Sequence, residues 1–192
     1  MTDRAGSKPV PAHLLGAMAV AVGLAWTFRS TVAGSPALHW LAAPLALFLL
    51  GPRWACVAVM GGALFAAAAG AYGWARLPLQ LLVDGLLPLA IAWAWLRLVE
   101  RYLPAHLFVY LFVAVFAGTL LAVLAAGALQ ILLSPGPARP LGGGDAWIAL
   151  LILADGEAMA TGFVVTGLAL YRPDWLQTFD PERYLRRPGP PR

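Results

Sequence analysis

DGEAMATGFVVTGLALYRPDWLQTFDPERY, residues Asp155 to Tyr184, sets two carboxylates inside an apolar run, continues through small residues and ends in an aromatic, arginine-bearing tail. A charge at the centre of a membrane costs about 2.5–3.5 kcal/mol even on the lenient insertion scale. A chain that keeps Asp155 and Glu157 in such a run must shelter them. On a regular helix, residues two apart point to nearly opposite faces. Asp155 shares a face with Met159, Gly162 and Thr166, and Glu157 shares one with Thr161, Val164 and Leu168. One carboxylate therefore faces a site while the other packs against a second helix, and an unbroken helix does not offer both to one metal.

The rest of the chain repeats the apolar character of this stretch. Of 192 residues, 61% are hydrophobic and 11% charged, with a mean hydropathy of +0.77. A soluble domain carries about a quarter charged residues, so the composition indicates a multi-pass membrane protein in a lipid bilayer. Six apolar runs follow one another: Pro11–Phe28, Ala37–Leu50, Trp54–Tyr72, Leu77–Val99, Ala105–Leu133 and Ala146–Tyr171. Gly-Pro-Arg at 51–53, Arg-Leu-Pro at 76–78 and a Pro/Gly-rich loop at 134–144 separate several of them, as breakers do. The expected fold is all-α, a polytopic bundle of about six transmembrane helices. Residues 1–10 form a cytoplasmic segment, 11–171 the bundle and 172–192 a cytoplasmic aromatic and basic tail.

Six crossings put both termini on one side. That side collects Arg4, Lys8, Arg53, Arg97, Arg101, Arg172, Arg183, Arg186, Arg187 and Arg192, against Arg29, Arg76 and Arg139 on the other. Under the positive-inside rule both termini are cytoplasmic. This asymmetry accounts for the net charge of +4, so no nucleic-acid partner is expected. A cleaved signal peptide over residues 1–34 is the competing reading of the N-terminus; the near-spanning length of 11–28 favours a first span.

With that topology the polar groups can be placed by depth. His39 falls near the outer end of the second span, Asp84 in the outer third of the fourth and Gln130 near the outer end of the fifth. Asp155 and Glu157 sit near mid-membrane. His13 and His106 lie at the cytoplasmic ends, too far from His39 to join it. A mid-helix proline removes the bond to the carbonyl four residues earlier, so Pro88 is expected to free the carbonyl of Asp84 and Pro44 that of Trp40. Carboxylates, an imidazole and freed carbonyls are what a membrane cation site uses, which makes His39, Asp84, Asp155 and Glu157 the candidate metal ligands. Against this stand interhelical bonds for the carboxylates and solvation of His39 by interfacial water.

No catalytic residues are expected. The chain holds no His-Glu-x-x-His, no Gly-x-Ser-x-Gly, no phosphate loop and no Cys-x-x-Cys, and its lone Cys56 excludes an internal disulfide. The first span carries small residues at Ala17, Ala21 and Ala25, a strip that permits close helix approach, either inside the bundle or against a partner subunit.

Gly156-Glu-Ala-Met-Ala-Thr161 resembles the Gly-Glu-x-x-x-Thr segment in the last span of CbiM/NikM-type proteins, the cobalt- and nickel-binding membrane components of energy-coupling factor transporters. Arg97-Leu-Val-Glu-Arg101, Leu103-Pro104, Phe108-Val-Tyr110, Tyr171-Arg-Pro-Asp-Trp175, Thr178-Phe-Asp180, Arg183-Tyr-Leu185 and Leu38-His-Trp40 are similar to a bacterial branch of energy-coupling factor permeases. The likeness runs from about residue 35 onward, with the tail as its specific part. It implies a place in the bacterial inner membrane and capture of Co2+ or Ni2+ as a transported substrate, with no covalently bound cofactor. It also implies a coupling membrane subunit and ATPases, reached through the Ala17, Ala21, Ala25 face and the C-terminal tail. Such proteins bind metal through an N-terminal Met-His and further histidines. This chain reads Met1-Thr2-Asp3, which leaves His39 as the histidine at a suitable depth. The alternatives are a non-transporting scaffold or assembly protein, or a vitamin-binding component using Trp40, Trp74 and Trp147.

Overall fold

The computed structural model describes residues 10–29, 38–133 and 144–184. Arg4, Lys8, Arg139, Arg186, Arg187 and Arg192 of the charge tally, and the N-terminal Met-Thr-Asp, lie outside them. The described residues form an all-α membrane bundle. Helix α1 is Ala12–Thr27, α2 is Ala43–Ala68, α3 is the helical run Trp74–Tyr102, α4 is Val109–Leu133 and α5 is Gly144–Tyr171. Four of these are long and apolar enough to cross a membrane, and α1 is a shorter apolar helix.

Helix α2 contains the expected second and third spans as two arms. Gly51 stands between them with φ 73° and ψ 168°. Proline at 52 supplies no N–H and pushes the preceding residue out of the helical region; only glycine takes positive φ there without strain. The second arm runs parallel to α1. Ala19 meets Gly61, Val22 meets Gly62 and Gly23 meets Phe65. A Cβ on Gly62 would lie 2.6 Å from Val22 Cγ1, so this seam depends on the missing side chain.

The first arm, Ala43–Leu50, is only half a crossing. The segment Leu38–Ala42 before it is not helical, contrary to the expected second span over 37–50. Pro44 sits in the first turn of α2, where a proline suits the helix because no N–H is needed. It therefore begins a helix and frees no carbonyl within one.

In α3 the turn Leu81–Leu86 widens to π-type bonding, with the Leu87 N–H reaching back to the Leu82 carbonyl. Widened turns occur where regular bonding is interrupted, and Pro88 follows directly. Asp84 lies on this widened turn.

Residues 176–184 of the tail fold back against the bundle. Leu176 and Phe179 are buried, and the Tyr110 ring contacts Phe179 at 5.1 Å and Tyr184 at 4.9 Å between centroids. The Gln177 N–H donates to the Leu49 carbonyl at 3.2 Å and the Thr178 hydroxyl to the Phe48 carbonyl at 3.1 Å. The tail thus takes up carbonyls at the end of the half helix, groups that a helix terminus leaves unsatisfied. Asp180 caps the short α6, Pro181–Tyr184, through its carboxylate and the Glu182 N–H at 3.0 Å, with Pro181 leading the helix. Burial, reinforced by the Glu100 charge, raises the Tyr184 phenol above its ordinary value. The His13 and Trp175 rings lie 6.0 Å apart, so the start of α1 and the segment after α5 share one end of the bundle.

Candidate cation site

The site is built around Leu38–Ala42, the non-helical strand of chain that enters the bundle before the half helix. Three helices hold it. From α1, the Trp26 indole N–H donates to the Leu41 carbonyl at 3.0 Å. From α5, Glu157 accepts the Leu41 N–H at 2.8 Å on Oε2 and the Ala42 N–H at 2.7 Å on Oε1. From α3, Asp84 meets His39, with Oδ2 at 3.1 Å from Nε2.

Glu157 therefore holds backbone with both oxygens. It is 2% exposed and stands at the N-terminus of the half helix, where unpaired N–H groups and the helix dipole favour an anion. Ala42, at φ 54°, occupies the left-handed region that costs a non-glycine residue about 1–2 kcal/mol. The paired hydrogen bonds to a carboxylate keep it there.

His39 is buried, contrary to the expectation of a water-solvated ring. Its Nδ1 lies 3.1 Å from the Trp40 carbonyl. A carbonyl only accepts, so Nδ1 carries a proton and Nε2 is the atom turned toward Asp84. Asp84 is fully buried and well supplied with donors. Gln80 Nε2 donates to Oδ2 at 2.8 Å, and Gln130 Nε2 donates to Oδ1. The Gln80 carboxamide is oriented in turn by Arg29, whose Nη2 donates to its Oε1 at 2.6 Å. Arg29 also lies over the Tyr72 ring, 5.0 Å from the centroid. Burial lowers its guanidinium below the ordinary value, and the Asp84 charge opposes that shift. Beside the histidine is a cavity with room for about one water molecule, lined by His39, Leu41, Val123, Gly127, Gln130 and Leu150 among others.

The arrangement therefore brings together two of the four expected ligands, His39 and Asp84. Glu157 adjoins them and is spent on the entering strand. Asp155 is on the opposite, exposed face of α5 and takes no part, as the helical arithmetic requires. No group of three or more His, Cys, Asp or Glu side chains able to hold a metal occurs among the described residues, so further donors would come from amides. Trp40 and Trp74 are exposed, and neither lines the cavity beside His39. Gln80 and Arg29 escaped sequence reasoning. The spacing of Gln80 and Asp84, four apart on one helix face, was a usable signal for the first; nothing local marks the second.

The sequence profile of the CbiM family, described as the cobalt uptake substrate-specific transmembrane region, matches residues 2–175. The chain belongs to the CbiM family. No curated protein and no solved structure matches it. Membership in this family makes the chain a multi-pass membrane protein of a cobalt-uptake transport family rather than of an enzyme family. The buried His39–Asp84 contact is then the polar centre of a CbiM-family bundle.

Proposed function

We propose that this chain is the substrate-capturing membrane subunit of an energy-coupling factor transporter, and that it takes a divalent cobalt ion at His39 Nε2 and the Asp84 carboxylate. The observation that carries the reading is the buried His39–Asp84 pair, at 3.1 Å, on a strand pinned within the bundle. Imidazole and carboxylate together suit cobalt and nickel, and a half turn of the Gln130 carboxamide would add an amide oxygen donor. Nickel shares these donor preferences and is the second substrate to test. Both termini face the cytoplasm, following the arginine and lysine bias.

The coupling subunit docks on α1. Ala17 and Ala21 are exposed on the bundle surface, while α1 packs internally through Val22 and Gly23 against Gly62 and Phe65. Ala17 and Ala21 are thus free of the internal packing that would otherwise account for them, while Ala25, the third residue of the strip, packs partly against the core. Trp175 of the tail reaches His13 at the start of the same helix, and the tail faces the ATPases.

A scaffold role for the same network draws support from Arg29, which already offsets the Asp84 charge through Gln80. Calorimetry with Co2+ on the purified protein in lipid nanodiscs separates the two. The transport reading predicts saturable binding that His39→Ala weakens by about a hundredfold, near 2.7 kcal/mol, while the bundle stays folded. The scaffold reading predicts no binding and a lowered melting temperature for Asp84→Asn.

A further inference from the structure

Asp155 is an exposed carboxylate on an apolar helix face, with no hydrogen-bond or ion-pair partner among the described residues. At 1.5 Å per residue it lies about 17 Å along α5 from Gly144 and about 24 Å from Tyr171, within the hydrocarbon layer on either count. Lysine and arginine in such places reach the interface on long stems; an aspartate has a single methylene and cannot. Its neighbours on that face are Ile148, Ile152, Met159 and Phe163, exposed by 57%, 69%, 48% and 72%. With Asp155 and Gly156 they fall within an arc of about 100° at 3.6 residues per turn. A Cβ on Gly156 would meet nothing within 4 Å, which leaves a notch beside the carboxylate.

From this we infer that the outer face of α5 docks a transmembrane helix of a different subunit that carries a lysine or arginine at mid-membrane. Charge complementarity selects the occupant. A lipid tail leaves the carboxylate unpaired. A second copy of this chain packed on the same face about a two-fold axis would set Asp155 against Asp155. A cationic side chain entering over Gly156 neutralises the charge, and the surrounding apolar side chains pack on its helix. This surface is on a different helix from the Ala17, Ala21 strip and does not depend on cation binding at His39.

The test uses the full chain in lipid vesicles with a fluorescence donor, and acceptor-labelled polyleucine transmembrane peptides carrying a central lysine, leucine or glutamate. The expected result is at least tenfold stronger association of the lysine peptide than of the leucine peptide. Asp155→Asn should remove that preference at an unchanged melting temperature, and Asp155→Lys should transfer it to the glutamate peptide. Equal association of lysine and leucine peptides with the native chain would overturn the inference. So would a lysine preference that survives in Asp155→Asn, or Asp155-dependent energy transfer between two copies of this chain.

Discussion

The half helix Ala43–Leu50 is held at both ends, and the two ends are built from opposite materials. At its N-terminus a carboxylate, a histidine, an aspartate and two glutamine amides surround the entering strand, with Glu157 on the Leu41 and Ala42 N–H groups. At its C-terminus an aromatic cluster of Tyr110, Phe179 and Tyr184 backs two hydrogen bonds from the tail. Apolar contacts have no preferred charge state and no vacancy for a solute. Polar contacts around a small cavity can be exchanged for contacts to an ion. On the proposed reading, recognition belongs to the first end and anchorage to the second.

Four substitutions probe that division. The largest effect on stability is expected from Phe179→Ala, about 3–5 kcal/mol for removal of a buried aromatic. Per folded molecule its Co2+ affinity should equal that of the native chain; a large change in calorimetric affinity would join the two ends functionally. His39→Ala should weaken Co2+ binding by about a hundredfold, near 2.7 kcal/mol, with a much smaller change in thermal unfolding than Phe179→Ala produces. Glu157→Gln keeps the shape but replaces one of the two accepting oxygens with an NH2 donor, so one buried N–H group loses its acceptor and a cost of about 1–3 kcal/mol follows. Because it loosens the strand that carries His39, this variant alone should lower both stability and affinity. Thr178→Val removes the hydroxyl's two hydrogen bonds, to the Phe48 carbonyl and with the Tyr110 hydroxyl, at about 1 kcal/mol, and should leave metal titrations unchanged.

The same contrast explains what was legible in the sequence. The crossings were, because long apolar runs separated by breakers have few other solutions. So was the separation of Asp155 from Glu157, which follows from helix geometry alone. The half helix was less so: apart from His39, Leu38–Ala42 is as apolar as its surroundings, and its non-helical course is held by Trp26, Asp84 and Glu157, which lie far away in the chain. Pro44 could be read as an interruption or as a first turn, and only tertiary contacts decide. His39 could be placed near Asp84 by depth, but its burial depends on how the strand enters. The tail carries the aromatics of an interfacial anchor, and nothing local shows that Tyr110 receives them. Gln80 and Arg29 join the site through contacts that amide and guanidinium side chains make anywhere.

The central claim is that His39 and Asp84 are cation ligands rather than an interhelical clasp. X-ray absorption at the cobalt edge, on Co2+-loaded protein in nanodiscs, tests it most directly. The account predicts one cobalt per chain in a nitrogen and oxygen shell with one imidazole, whose signature disappears in His39→Ala. Native protein that holds no cobalt, or an imidazole signature that persists without His39, would contradict it.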